Sequence, residues 1–261
     1  MSVWPVELSV SIPVTLTAAV YLRGWSRLRR HLAHRFRSRH AVIFLASLAT
    51  MLLALSSPVE RLAERWLSAH MVQHMLLMVV VAPLLWMGAP VAPLFIGLPR
   101  PIRRVVLAVT NAPGVRAVTR WMLHPGVGWS AFAITFWVWH APALYDLTLE
   151  SDLWHHVEHA CFLGSALLFW RPVILAWPAR VIWPRWTMIP YLGLAMFQGM
   201  PLAAILTFSD RVIYRGYSSL DDQALAGAIM WLPGSFPLLI PLLRLSVELS
   251  AGRVVIERSH V

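Results

Sequence analysis

Apolar residues run through this chain in seven long stretches that short polar connectors separate. A helix needs about 20 largely apolar residues to cross the hydrocarbon core of a membrane. The pattern therefore predicts an all-α polytopic membrane protein, with residues 1–261 forming a single seven-helix transmembrane domain. The predicted spans are 4–22, 41–57, 69–87, 127–145, 155–175, 187–208 and 223–243.

Two apolar segments, residues 88–98 and the first predicted span, differ from the other apolar stretches. Residues 88–98, GAPVAPLFIGL, are apolar, but proline and glycine interrupt them, so they are predicted to form a wrapped or interfacial connector. The first apolar stretch follows no basic residue and precedes a block of arginines, which is the reverse of a secretory signal. We therefore expect this stretch to remain as a membrane anchor.

The charge of the connectors alternates along the chain. Residues 23–40 hold seven arginines and no acidic residue, and residues 100–120 hold five arginines and no acidic residue. The second, fourth and sixth connectors lack this positive excess, and the fourth, 146–152, DLTLESD, is purely acidic. Because cytoplasmic connectors carry the excess of positive charge, the alternation predicts an N-terminus outside and a C-terminus inside.

Composition supports the membrane prediction. The chain is 58% hydrophobic and 13% charged, whereas soluble domains are about one-quarter charged. The formal net charge of +10 arises without any lysine, from arginines that cluster between apolar stretches. These connectors lack interleaved aromatic platforms for base stacking, which argues against nucleic acid as a partner. Membrane lipid is the expected partner of the arginines.

Histidines gather at the ends of several predicted spans. His70 and His74 open the third span, His155 and His159 open the fifth, and His140 lies near the end of the fourth. Since consecutive spans run in opposite directions, all five belong to the outer leaflet. Residues four apart share a helix face, so each pair presents two imidazoles together. The pattern predicts that imidazoles from three helices converge on one metal ion.

Neighbouring residues narrow the choice of ion. Imidazole suits copper, zinc, iron and nickel, and thioethers add a preference for Cu(I). Met71, Met75 and Met78 continue the helix of His70 and His74, and Cys161 follows His159. These four residues are candidate auxiliary ligands, and copper is the favoured ion.

Polar residues around the histidines have a predicted supporting role. Glu158 lies between His155 and His159 on the same helix face, and Asp222 and Gln223 open the seventh span. Metal-bound imidazoles usually donate their other N–H group to a carboxylate or a carbonyl. We therefore predict that Glu158, Asp222 and Gln223 orient the imidazoles from a second layer.

Three alternatives to copper transfer stay open at this point. Residues 155–159 match H-x-x-E-H, a zinc-peptidase signature in which the glutamate activates water. Paired histidines also ligate haem iron, as in membrane electron carriers. The same histidines are compatible with a scaffold that holds an assembly intermediate and binds no metal.

Four sequence blocks resemble one protein family. They are HMVQHMLLMVVVAPLLWMGAP, HAPALYD, HHVEHACFLGSALLFWRP and DDQALAGAIMWLPG. In order and spacing they resemble the CtaG family of integral-membrane cytochrome c oxidase assembly factors. The resemblance implies a seven-helix protein of the bacterial cytoplasmic membrane with a role in the maturation of haem–copper oxidases. The residues that match the family are His70, His74, His140, His155, Glu158, His159, Asp222, Gln223, Met230 and Trp231.

Together, the residues and the resemblance lead to one hypothesis. The protein is expected to be a non-enzymatic assembly factor of the bacterial inner membrane that binds copper, as Cu(I), on the periplasmic side. Its expected partner is subunit I or II of a haem–copper oxidase, to which it passes the ion. His70, His74 and His159 are predicted to bind the ion directly, followed by His155 and His140.

Overall fold

The structure is a computed structural model that describes residues 8–56, 58–179 and 183–251. These residues form helices and connecting turns without any strand, which confirms the predicted all-α class. A π-helix, Leu76–Val81, joins α4 to α5, and a 3₁₀ turn, Arg185–Thr187, precedes α12. The α-helices are α1 Leu8–His31, α2 Ser38–Leu55, α3 Pro58–Ala63, α4 Leu67–Met75, α5 Ala82–Met87, α6 Val91–Gly97, α7 Arg100–Asn111, α8 Pro113–Met122, α9 Pro125–Trp139, α10 Pro142–Glu150, α11 Asp152–Ile174, α12 Met188–Phe208 and α13 Leu220–Ser250.

Four helical segments in the described part of the chain are long and apolar enough to cross a membrane. They are Ser38–Leu55, Leu67–Met87, Arg185–Phe208 and Leu220–Ser250. The other three predicted spans correspond to α9, with 15 residues, and to α1 and α11, whose apolar stretches contain polar side chains. The protein is thus a membrane protein, while seven crossings and their orientation stay predictions. Residues 4–7 of the first predicted span lie outside the described residues.

The segment Leu67–Met87 lies at the centre of the bundle. Its apolar window is 67% buried, against 28–33% in the other three segments. The π-helix within it ends just before Pro83, which has no backbone N–H group. In a π-helix each carbonyl accepts from the amide five residues later, so the carbonyl of Met78 lacks its usual donor. The Trp170 indole N–H donates to it instead at 2.8 Å. This bond joins the central segment to α11.

The predicted span 127–145 is interrupted. Helix α9 ends at Trp139, and α10 begins at Pro142. A residue before proline is restricted to extended conformations, and Ala141 has ψ 126°. His140 therefore lies at the helix terminus, and its Nδ1–H group donates to the freed carbonyl of Phe136 at 2.7 Å.

Helices α12 and α13 form a tight antiparallel pair beside the central segment. A Cβ atom on Gly227 of α13 would lie 2.7 Å from the Ala203 carbonyl oxygen of α12. Only glycine allows this approach of the two backbones. The main apolar core fills the space between α4, α5, α9, α11, α12 and α13.

Helices α1, α2 and α6 form a second, smaller apolar cluster with the central segment. Residues 88–98 contribute α6, which packs against α1. A Cβ atom on Gly24 would lie 1.8 Å from the Pro93 carbonyl oxygen, so the two helices touch through their backbones. Helices α7 and α8 contain no buried residue and present separate apolar and arginine-bearing faces.

Candidate metal centre

Three helix ends meet at the candidate centre. Helix α4 supplies His70 and His74, the start of α11 supplies His155 and His159, and the end of α9 supplies His140. The start of α4, the end of α9 and the start of α11 lie at one end of the bundle because these segments alternate in direction. The structure thus brings together all five histidines that the sequence singled out.

Four side chains form a compact buried group. One ligand atom each from His70, His74, Glu158 and His159 lies within 4.8 Å of the other three. The Nε2 atoms of His70 and His74 are 2.9 Å apart, and Oε2 of Glu158 lies 3.4 Å and 3.6 Å from them. Their exposed fractions are between 0 and 7%. The spacing of four residues on α4 and on α11 produces this convergence.

Glu158 has a more central place than the sequence predicted. The sequence placed it in a second layer that orients imidazoles. In the structure its carboxylate lies in the group itself, at a distance from the imidazoles at which it could share an ion with them. It is one turn of α11 away from His155, on the face that α11 turns toward α4.

Several buried polar atoms of the centre have no hydrogen-bond partner among the described residues. They are both carboxylate oxygens of Glu158, Nε2 of His140, His155 and His159, and Nδ1 of His74. Buried polar atoms are nearly always paired, and a buried charge is normally paired or bound to a metal. Such a concentration of unpaired nitrogen and oxygen atoms fits a site that holds a cation.

His140 and His155 flank this group. The ring of His140 lies 6.1 Å from that of His74, and the ring of His155 lies 4.3 Å from that of His159 and 5.2 Å from that of His70. Neither belongs to the four-residue group. Both rings thus border the four-residue group without belonging to it.

A cavity of about 210 Å³ opens beside His159. Its polar lining comes from Glu60, His155 and His156. Nδ1 of His155 lies 3.4 Å from Oε1 of Glu60, and these two side chains are 17% and 25% exposed. The cavity therefore connects the buried group to a more open, partly polar region.

Two hydrogen bonds set the orientation of the imidazoles. The hydroxyl of Tyr217 donates to the Ala63 carbonyl at 2.7 Å, so its oxygen is left to accept from Nδ1–H of His70 at 3.4 Å. In His140, Nδ1–H donates to the Phe136 carbonyl. A histidine with its proton on Nδ1 presents the lone pair of Nε2, and in His70 that atom faces the centre.

Asp222 and Gln223 act on the backbone rather than on the imidazoles. The carboxylate of Asp222 accepts from the Leu67 amide at 2.6 Å and from the Ser68 amide at 3.2 Å, at the start of α4. The Gln223 side chain accepts from the Ile213 amide at 2.8 Å and donates to the Arg211 carbonyl at 3.2 Å. Asp222 thus caps the helix that carries His70 and His74, and Gln223 holds the connector that carries Tyr217.

The sulfur-bearing candidates lie in the main apolar core and beside a second cavity. Met71 is fully buried in the main core, and Cys161 is half-buried. Met75 and Met78 line a separate cavity, together with the family-motif residues Met230 and Trp231. The group as the structure has it contains imidazoles and a carboxylate.

Sequence reasoning missed several residues that shape the centre. Gln73 donates to the Ala54 carbonyl at 2.8 Å and to Glu60, which ties α4 to α2 and α3. Tyr145 stacks on Tyr214 at 4.1 Å and lies 5.2 Å from the His70 ring. Gln73 and Tyr145 fall inside the quoted blocks HMVQH and HAPALYD, which was the available signal. The connector that carries Tyr214 and Tyr217 has no periodicity that could have marked them.

Comparison with known proteins gives two matches. The sequence model of a family described as cytochrome c oxidase caa3 assembly factor (Caa3_CtaG) matches residues 19–251. An uncharacterized protein of Mycobacterium leprae is 23% identical over an alignment of 274 positions. The alignment covers 95% of this chain and 39% of that protein. The chain thus spans well under half the length of this relative. No solved structure matches the chain.

Proposed function

The chain belongs to the family of cytochrome c oxidase caa3 assembly factors, and on that premise we propose that it binds copper at the histidine centre and supplies it to a haem–copper oxidase. The observation that carries the proposal is the convergence of His70, His74, Glu158 and His159 within 4.8 Å in a buried site. The copper is cargo, and the protein performs no catalysis on it.

Charge balance favours a monovalent ion. The three imidazoles are neutral ligands, and Glu158 contributes one negative charge. A bound Cu(I) ion and one carboxylate sum to zero, whereas a divalent ion would leave a net positive charge in a buried site, which is costly. Imidazole is a suitable ligand for copper. Because imidazole suits zinc as well as copper, the preference for Cu(I) over Zn²⁺ rests on this charge balance.

The adjacent cavity offers a path for the exchange of the ion. His155 lines the cavity, and its ring contacts that of His159 at 4.3 Å. Its Nε2 atom is buried and has no hydrogen-bond partner among the described residues. An ion passes along this path by replacing one imidazole with the next, so it is never without a ligand. Its oxidation state does not change.

The geometry gives less support to the two alternative chemistries. Axial histidines on opposite sides of haem iron need nitrogen atoms about 4 Å apart, twice a typical metal–nitrogen bond. The haem alternative pairs histidines from two helices, such as His74 and His159. Nε2 of His74 already has Nε2 of His70 at 2.9 Å and Oε2 of Glu158 at 3.6 Å, which leaves little room for a macrocycle beside it. In a hydrolase, Glu158 would need water and substrate beside it, but its side chain is fully buried.

The cargo is proposed to go to subunit I or II of the oxidase in the bacterial inner membrane, from a centre that faces the periplasm. The orientation follows from the arginine-rich connectors at 23–40 and 100–120. Histidine ligands near the membrane surface can exchange with those of a partner, which a closed all-thiolate site would resist.

The test is complementation of a strain that lacks this protein, grown at low copper. The parent chain is compared with a His70→Ala/His74→Ala/His159→Ala variant. A matched control removes two exposed histidines outside the centre, His31→Ala/His34→Ala. We expect the parent and the control to restore oxidase activity and the copper content of the purified oxidase. The centre variant should restore neither.

Full restoration by the centre variant at low copper would contradict the proposal and indicate a metal-free scaffold. Membrane levels of all three chains, measured by immunoblot, separate loss of function from loss of protein.

A further inference from the structure

Methionine side chains line a second cavity, away from the four-residue group. It has a free volume of about 40 Å³ and lies between the central segment, α9, α12 and α13. Five of the eleven methionines of the chain line it. They are Met75, Met78, Met196, Met200 and Met230.

The methionines approach the cavity from three sides. Met75 and Met78 are three residues apart on the central segment, and Met196 and Met200 are four apart on α12, so each pair shares a helix face. Met230 comes from α13. Thioethers from three elements therefore surround one space.

Packing alone does not account for this arrangement. Methionine is flexible and commonly fills irregular gaps in a core, yet here a space remains between five of them. That space exceeds the minimum needed to hold one water molecule. Gln198, which also lines the cavity, has a buried Oε1 atom without a hydrogen-bond partner among the described residues.

The lining determines which ligand the cavity suits. None of the described residues around it carries a charge, and its polar groups are few. Thioethers are soft, neutral donors that favour Cu(I) over Zn²⁺, Mg²⁺ or Ca²⁺. A site built from them suits a soft monovalent cation.

The cavity adjoins the histidine centre. Met75 follows His74 directly in sequence, and Met78 lies about one turn further along the same segment. The side chain of Phe136 lines the cavity, while its carbonyl accepts from Nδ1–H of His140 and its ring lies 4.8 Å from the His140 ring. The two sites therefore share the central segment and the end of α9.

We propose that the methionine-lined cavity is a second metal site, which binds Cu(I), or Ag(I) in its place, through thioether sulfurs. Its role in copper transfer, as a second binding site for the ion of the histidine centre, rests on the proposed function. Its ability to bind a soft ion does not. Movement between the sites is an exchange of ligands without a redox step.

The test is titration of the purified protein in detergent with Ag(I), and with Cu(I) in the absence of oxygen, against a competing chelator. The parent chain is compared with Met196→Leu/Met200→Leu/Met230→Leu, in which leucine preserves side-chain volume. A matched control, Met51→Leu/Met87→Leu/Met122→Leu, changes three methionines that do not line the cavity. We expect the cavity variant to bind one Ag(I) ion fewer than the parent and the control.

X-ray absorption of the Cu(I)-loaded protein gives a second measurement that does not depend on the folding of the cavity variant. We expect sulfur neighbours of copper in the parent and in the His70→Ala/His74→Ala/His159→Ala variant. Equal Ag(I) binding by the parent and the cavity variant would overturn the proposal. Copper without sulfur neighbours in the parent would overturn it as well.

The two proposals fail in different ways. If the parent binds one Ag(I) ion that the methionine substitutions remove and the histidine substitutions do not, the methionine site stands and the histidine centre fails. If the histidine substitutions remove every bound ion and the methionine substitutions none, the reverse holds.

Discussion

At the scale of single residues, the carboxylate of Glu158 is the group whose surroundings most need a cation. Its side chain is fully buried, and its nearest charge partners are the imidazoles of His70 and His74, at 3.4 Å and 3.6 Å. No described residue donates a hydrogen bond to either oxygen. A buried carboxylate in this position destabilises the protein, and the cation that we propose for this centre would compensate its charge.

A Glu158→Gln variant separates these two effects. Glutamine keeps the shape of the side chain and removes the charge, so we expect Cu(I) affinity to fall at least about tenfold, or 1.4 kcal/mol. The metal-free variant should be at least as stable as the metal-free parent, because a buried charge has been removed. Chelator competition measures the first effect, and thermal unfolding in detergent measures the second.

Glu150→Gln serves as the control, since Glu150 is exposed at the end of α10. If Glu158 instead formed a structural ion pair with a protonated histidine, Glu158→Gln would lower the stability of the metal-free protein by about 3–5 kcal/mol.

The sequence predicted most of the ligand candidates but not the contacts that hold their side chains and helices in place. His70 and His74 share a face by local spacing, and that is visible without a structure. The contact between His70 and Tyr217 joins residues 147 positions apart, and no local pattern specifies such a pair. The same holds for Asp222 and the start of α4, which are about 155 positions apart.

At the scale of helices, the orientation of α4 depends on α13. Trp66 precedes α4 and makes no side-chain cap, so the first amides of the helix depend on other groups. Asp222 accepts from the Leu67 and Ser68 amides, and its negative charge also favours the N-terminal end of a helix. One carboxylate thus fixes the helix that carries two of the four ligand candidates.

An Asp222→Ala variant should therefore weaken both the fold and the centre. Loss of a helix cap costs about 0.5–2 kcal/mol, and a less firmly held α4 should lower Cu(I) affinity although Asp222 does not touch the ion. Asp221→Ala is the matched control, because Asp221 is adjacent in sequence and exposed. Thermal unfolding and metal titration measure the two effects. Equal behaviour of the two variants would contradict the capping role.

The apolar periodicity of the sequence did not predict two irregularities of the helices. The apolar pattern predicted one span over 127–145, yet Pro142 divides it, because proline restricts the residue before it. The π-helix over Leu76–Val81 is equally absent from the pattern, since one extra residue per turn leaves the composition unchanged. π-Helical turns often occur at functional sites, and this one follows His74 and contributes Met78 and Val79 to the lining of the methionine cavity.

At the scale of the whole molecule, hydropathy and charge predicted the class of protein and the blocks predicted the family. The structure confirms an all-helical membrane protein, and the family match covers residues 19–251. Four segments are long and apolar enough to cross. The polar side chains of the candidate centre lower the hydropathy of α11, which stays a predicted crossing.

The periphery of the molecule faces lipid in the predicted arrangement. Helices α7 and α8 expose apolar residues such as Val105 and Trp121, with five arginines on the same two helices. Such amphipathic helices are typical of the membrane–water interface. They lie in the connector whose positive charge predicts the cytoplasmic side, away from the histidine centre.

The metal content of the purified protein tests the central claim most directly. Three chains are purified in detergent under reducing conditions and analysed by mass spectrometry for metals: the parent, the His70→Ala/His74→Ala/His159→Ala variant and the His31→Ala/His34→Ala control. We expect copper in the parent and the control, with about one atom fewer per chain in the centre variant. Zinc in place of copper, iron with a Soret band, or equal copper in all three chains would contradict the central claim.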